Sequence, residues 1–330
     1  MAEGIRRLVG ALVVALAGSI ASAHAQDTYP TKPITLIAVF AAGGPSDTLA
    51  RQMAEQIGRQ WNAQLIVENV AGAGGMIGTV RGARAAPDGY TILTQHQGHA
   101  AAPALFTGLK FDPQGDFEPV GLINFGASVV LSRKSLETNS MAELLAWLKT
   151  KGADATIGHA GIGSNSFICA SVLQHVTGLR LSMVPYRGTG PAMNDLVAGQ
   201  IDLLCDQAIT SVPQIQAGTV KAYALTSPER LKGLDVPSNT EVGLPDLNST
   251  TWNAAYAPKG TPKAILDKWN AALQAFAEDP AIVERFAATG FAPFPKDMRS
   301  REAHAKYLAD QIKFFETLFT AMDVKKREIN

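Results

Sequence analysis

The stretch VFAAGGPSDTLARQMAEQIG, residues 39–58, runs from an apolar segment through a glycine turn into a segment where Leu49, Met53 and Ile57 recur every fourth residue. That spacing predicts a helix with one apolar face. Ser46 is expected as its N-cap, with Asp47 in the first turn. Just upstream, ITLIAVF (34–40) is short, apolar and β-branched, which predicts a buried parallel strand. No obvious catalytic group sits in the turn. A helix N-terminus presents unpaired N–H groups and the positive end of a dipole, and glycines let a ligand approach the backbone. The stretch therefore predicts strand, anion-holding loop and helix in that order.

The same alternation continues outward. QLIVEN (64–69) predicts a strand, AGAGGMIG (71–78) opens another helix, and YTILTQ (90–95) is a further strand beyond the turn at 87–89. This alternation indicates an α/β fold with a parallel sheet. The pattern then restarts. Residues 153–178 again supply strand, glycine turn and helix, with Ser164 or Asn165 as cap and Phe167 or Ile168, Val172 and Val176 on the apolar face. Strands at LSMVPY, QIDLLCD and VKAYALTS, with helices between them, complete a second α/β unit of similar plan. Residues 262–279, 280–290 and 300–322 predict helices that pack on a sheet.

Composition narrows the function. The chain has 330 residues, is 46% hydrophobic and carries 29 basic against 29 acidic residues. Its length suits two domains. A neutral balance without charge runs argues against nucleic-acid binding. Residues 1–25 read as a secretory signal peptide: Arg6 and Arg7, an apolar run from Leu8 to Ile20, then Ala23 and Ala25 in A-x-A positions. Cleavage is expected after Ala25. Its removal takes two basic residues and one acidic one, leaving a net charge of −1. The two cysteines, Cys169 and Cys205, lack metal or redox spacing. They are expected as buried free thiols, although an oxidising compartment permits a bridge.

Motifs for chemistry are missing. GAGGMI from Gly72 and GIGSNS from Gly161 place Ile77 and Ser166 where a dinucleotide fingerprint needs its third glycine. There is no phosphate-loop, H-E-x-x-H or G-x-S-x-G pattern. Ser164 or Ser166 beside His159 or His175 has no supporting motif for a nucleophile. No carboxylate cluster has metal-ligand spacing. The remaining reading is anion binding by two glycine loops, 41–48 and 160–166, each at the carboxyl end of a strand.

An ordered set of runs is also familiar: YPTKPI (29–34), AGGPSDTLAR (42–51), VENVAGAGGMIG (67–78), APDGYT (86–91), VPYRG (184–188), GQIDLLCD (199–206), DVPSNTEVGLP (235–245) and APKGTPKAILDKWNAAL (257–273). Through them the chain resembles the Bug receptor family, the periplasmic solute receptors of tripartite tricarboxylate transporters. The resemblance implies a two-lobed, type II-like periplasmic binding protein, each lobe a mostly parallel sheet flanked by helices. It places the first lobe at 27–125 plus 250–330 and the second at 126–249. It implies a monomer without cofactor that captures a di-, tri- or aromatic carboxylate by lobe closure and delivers it to integral membrane transporter subunits. A ligand sensor for a membrane signalling partner, or an exported enzyme in the same cleft, are the alternatives.

Carried over, the first-lobe loop is Ala42, Gly43, Gly44, Pro45 and Ser46, and the second-lobe loop is Gly161, Ile162, Gly163, Ser164 and Asn165. Tyr186, Arg187 and Gly188 form another cleft segment, with Arg187 the best candidate for a charge-assisted contact. Asp206 is expected near the cleft, ordering water or supporting the hinge. Asp47 is expected to brace its loop, since its charge repels a carboxylate. The segment TQHQGHAAAPALF (94–106) departs from the family pattern, so His99 is expected to enter the cleft, and Phe167 to line an apolar wall. His96, His99 and Phe167 together favour an aromatic or dicarboxylic acid over citrate.

Overall fold

A computed structural model describes residues 29–329. The expected signal peptide, residues 1–25, lies outside the described residues. The opening stretch folds as read: β1 (Ile34–Ala38) leads through the glycine loop into α1 (Pro45–Trp61), whose Leu49, Met53 and Ile57 are buried. One detail differs. The helix begins before Ser46: Gly44 is the N-cap without a side-chain bond, and Pro45 stands in the first turn, where its missing N–H costs nothing. Asp47 instead braces the loop, accepting the Gly43 N–H at 3.0 Å and pairing with Arg51 at 2.9 Å.

The chain continues through β2 (Leu65–Asn69), α2 (Met76–Ala83), β3 (Thr91–His96), α3 (Gly98–Leu105), β4 (Phe106–Thr107) and β5 (Phe117–Gly126). It then crosses into β6 (Ser128–Arg133), α4 (Met141–Lys151), β7 (Thr156–His159), α5 (Asn165–Thr177), β8 (Ser182–Pro185), α6 (Thr189–Val197), β9 (Leu203–Gln207), α7 (Ala208–Gln216) and β10 (Val220–Leu225). It returns through β11 (Thr251–Pro258), α8 (Lys263–Glu278), α9 (Pro280–Ala288), β12 (Phe291–Pro293), α10 (Arg301–Ala321) and β13 (Arg327–Glu328).

Among the described residues two large sheets define two lobes. One has the order β12-β5-β11-β3-β1-β2, the other β10-β6-β9-β7-β8. Both follow one plan. β1 lies parallel between β2 and β3, as β7 lies parallel between β8 and β9. In each sheet the strand arriving from the other lobe inserts antiparallel: β11 between β3 and β5, and β6 between β9 and β10. The sheets are therefore mixed, with most strands pointing one way. β11 is buried along its whole length because it is flanked by strands on both sides. The crossover segments are pinned together: Ser128 and Thr226 exchange bonds at 2.9 Å, and the Thr226 hydroxyl donates to Ser249 O at 3.0 Å.

The cysteines overturn the free-thiol expectation. α5 packs on β9, which brings the Cα atoms of Cys169 and Cys205 to 6.1 Å, and the two form a disulfide. The sequence spacing hid this because a bridge depends on helix-to-strand packing. Closing a loop across 36 positions restricts the unfolded chain by about 2–4 kcal/mol. Reduction, or the Cys169→Ala/Cys205→Ala pair, is expected to lower the melting temperature by on the order of 5–10 °C. Calorimetry with and without reductant checks this; an unchanged melting temperature would refute the structural role.

Candidate functional site

The carboxyl ends of β1, β3, β7 and β9 meet at the junction of the lobes. There a small cavity of about 20 Å³ is lined by Phe40 and Ser46 of one lobe and by Ser164, Thr189, Asp206 and Gln207 of the other, with His96 at the end of β3. Such strand ends are where open α/β sheets bind ligands. The N-terminal turns of α1, α5, α6 and α7 border this cavity, each carrying unpaired N–H groups and positive dipole ends.

The loop side chains already have partners. Ser164 accepts from Phe167 N–H at 3.1 Å, and Ser166 accepts from Ala160 N–H at 2.9 Å. Asn165 accepts from the Gln97 amide across the lobes at 2.6 Å and donates to Ser128 at 2.8 Å. These residues hold the backbone in place; the cap takes up the Phe167 amide, which leaves those of Asn165 and Ser166 at the start of α5 for a ligand. Of the buried polar atoms that have no partner among the described residues, four belong here: His96 Nε2, Thr189 Oγ1, Asp206 Oδ1 and Gln207 Oε1. All four residues line the same cavity. Buried polar groups are nearly always paired, so this clustering marks a polar ligand position.

Their protonation is set by burial. His96 stacks on Phe40 at 5.2 Å and accepts the Gly98 N–H at Nδ1, which puts its proton on Nε2. Burial, then nearby His99, hold it down at about 3, so the ring is neutral and offers one donor. Burial pushes the Asp206 carboxyl up to about 6, although the Thr210 hydroxyl, donating to Oδ2 at 2.7 Å, works against it. Asp47 is buried, which alone would raise its carboxyl, but its bonds from Arg51 and Gly43 hold it below the usual range.

The lobes touch along a seam of glycines. Ala41 N–H donates to Arg187 O at 3.1 Å. A β-carbon on Gly190 would stand 2.7 Å from Ala42 O, and one on Gly74, whose φ is +65°, would overlap Ile162 O. On the far side of this seam opens a second, larger cleft of about 680 Å³.

The expected site residues divide accordingly. Pro45, Ser46, Ser164, Asn165 and Asp206 line the inner cavity. Ala42, Gly43 and Gly44 approach Gly190 in the seam, and the Gly163 carbonyl abuts Gly98. Gly161, Ile162, Phe167, Tyr186 and Arg187 line the outer cleft. Tyr186 donates to Asp195 at 2.7 Å, and the Arg187 side chain points to the outer cleft rather than to the inner cavity. His99 is corrected: it lies in α3, fully buried among Phe111, Phe117 and Tyr256, with Nε2 3.0 Å from Pro113 O. Three residues after His96, the chain has turned into a helix and faces the first-lobe core. Phe40, His96, Ala160, Ser166, Thr189 and Gln207 also line the inner cavity, beyond the residues expected there. Thr189 and Gln207 each adjoin a residue already singled out, and both open helices after strands, which is the signal that would have found them.

Two lobes of one plan around a polar cavity, with helix N-termini converging on it, define a solute-binding protein. Residues 49–324 match the model of the tripartite tricarboxylate transporter family receptors, and the chain belongs to that family. A protein from the TAR-I ttuE–ttuC′ intergenic region of Agrobacterium vitis is 43% identical over 282 residues, 85% of this chain and 82% of that one. The solved periplasmic binding protein BugD is 38% identical, with a TM-score of 0.87 over 91% of this chain and all of that one. MatC from Rhodopseudomonas palustris, solved with bound malate, is 34% identical, with a TM-score of 0.84 over 88% of this chain and 99% of that one. The family and these structures are receptors, not enzymes.

Proposed function

We propose that this protein captures a small dicarboxylate carrying a hydroxyl group, of the malate type, between its lobes, and delivers it as a monomer to membrane transporter subunits. The observation that carries this reading is the set of four unpartnered polar atoms under four helix N-termini. Helix amides, His96 Nε2–H and the Thr189 hydroxyl suit carboxylate oxygens, and Gln207 Oε1 suits a hydroxyl donor. The malate bound by MatC agrees with that chemistry. The inner cavity, at about 20 Å³, has room for about one water molecule, so a four-carbon acid enters when the lobes part. With lobes at 27–125 plus 250–330 and 126–249, the rotation occurs at the pinned crossovers near Ser128, Thr226 and Ser249. Export through the segment 1–25 places the receptor in the periplasm, where the Cys169–Cys205 bridge is stable.

A thermal-shift panel of malate, succinate, aspartate, citrate and benzoate tests this. Malate at about a thousand times its dissociation constant is expected to stabilise by roughly 4 kcal/mol, a rise on the order of 8–15 °C. A flat response to the dicarboxylates would overturn the proposal.

Asp206 adds a pH signature. A dianion placed beside it favours the protonated carboxyl, so binding takes up a proton where free Asp206 is mostly ionised, above about pH 6. Affinity for malate is expected to rise as pH falls from 8 to 6, by up to about tenfold per unit. His96 stays neutral throughout this range and adds nothing. Titration calorimetry in buffers of different ionisation heat should detect the proton, and Asp206→Asn should abolish the uptake. Equal uptake in that variant would exclude Asp206 as its source.

A further inference from the structure

We propose that the outer cleft is a second binding site, for an amphipathic anion: one carboxylate on an aromatic or short alkyl body. The cleft is about 680 Å³, within the usual range for small-molecule sites, and shares no lining residue with the inner cavity. The seam of Gly74 against Gly161 and Ile162 separates the two.

Three donors face it. His159 is 4% exposed and accepts the Gly161 N–H at Nδ1, 3.1 Å, so its proton sits on Nε2, which makes no hydrogen bond with the described residues. Arg187 lines the second-lobe side and Arg327, in β13, the first-lobe side. Neither guanidinium forms an ion pair or side-chain hydrogen bond with the described residues. Among the described residues Glu328 is the one carboxylate in the lining, against the two arginines. Unpaired guanidinium groups bind carboxylates through two parallel N–H bonds.

The remaining walls are apolar. Phe167 tilts against the His159 ring at 5.4 Å, and Phe106 and Met183 continue the surface. Ile77, 54% exposed, lies at the same cleft. A surface with fixed cationic donors at one part and aromatic and thioether groups at another matches a molecule with one charged end and one apolar end. It does not match a small dianion, whose second carboxylate would lie against Phe167 and Met183. Because the two lobes supply the two arginines, an occupant would also hold the lobes together.

The test uses 3-phenylpropionate, followed by titration calorimetry on the whole protein. One saturable site per chain is expected, undisplaced by malate and retained in Asp206→Asn. Arg187→Ala and Arg327→Ala are expected to weaken it at least tenfold each, and the neutral 3-phenylpropionamide to bind at least tenfold less tightly than the acid. Both arginines are exposed, so neither variant threatens folding; unchanged melting temperatures confirm this. The proposal is overturned by absence of saturable binding at millimolar acid, by unaltered affinity in both arginine variants, or by loss of binding in Asp206→Asn. Malate titrated alone reports on the inner cavity, so failure of either site is seen separately.

Discussion

Gly190→Val is expected to weaken binding in the inter-lobe cavity by about 10- to 100-fold while the ligand-free protein stays folded. The added β-carbon would stand 2.7 Å from Ala42 O, 3.1 Å from Gly43 C and 3.2 Å from Gly44 N. All three are backbone atoms of the opposite lobe, so no flexible side chain can yield. Overpacking of this kind costs about 1–3 kcal/mol. Gly190 does not have a left-handed φ, so the substitution strains nothing within its own lobe. The cost therefore falls on the closed arrangement alone and shifts the population toward the open one. Gly74→Ala acts on the same seam through Ile162 O, but its φ of +65° adds local strain, which makes Gly190 the cleaner probe. Calorimetric affinity for malate and the radius of gyration of the ligand-free protein check the prediction. Affinity should fall and the radius should grow; wild-type values of both would show that the lobes bind without this contact.

Acid is expected to destabilise the fold steeply, between pH 6.5 and 5. Burial, followed by charge repulsion between histidines, holds His96 and His304 down at about 3; burial holds His99 at about 4, although Pro113 O and Asp112 oppose it. All three are 1% exposed or less. An unfolded histidine titrates near 6.5, so below that pH the unfolded chain binds protons that the folded chain refuses. The stability these neutral rings contribute is complete above pH 6.5 and is lost as pH falls toward their folded values. At pH 5 the loss is roughly 2 kcal/mol for each ring. Asp206 runs the other way: its raised carboxyl regains a proton below pH 6, which returns about 1 kcal/mol at pH 5. The histidines win, and the melting temperature is expected to drop by on the order of 10 °C between pH 7.5 and 5. His304 has no hydrogen bond at either ring nitrogen among the described residues and packs 4.8 Å from Tyr256. His304→Phe should therefore cost little at pH 7.5 and remove about a third of the acid loss. A variant as acid-sensitive as the native chain would show that the loss arises elsewhere.

The same histidines show how far sequence reasoning reached into the site. His96 and His99 lie three residues apart in one segment, and sequence offers no means of choosing between them. The choice depends on where β3 ends: His96 is its last residue and faces the cavity, while His99 is already inside α3. Arg187 was legible as a cleft residue, but not which side of the glycine seam its side chain takes. Ser164 was legible as a helix cap because capping is local, needing only the Phe167 N–H three residues on.

Short-range rules explain what could be read from the chain. The α/β class, the doubled plan and the glycine loops opening α1 and α5 follow from periodicity, turn residues and helix-end chemistry within about twenty positions. The antiparallel insertion of β11 and β6, the Cys169–Cys205 bridge, the pairing of Gly190 with Ala42 across the lobes, and the clustering of His96, Thr189, Asp206 and Gln207 needed the tertiary structure. Each depends on packing between elements far apart in the chain. No local propensity reports which faces will meet, because that is decided by how strands and helices assemble within each lobe and how the two lobes close on each other.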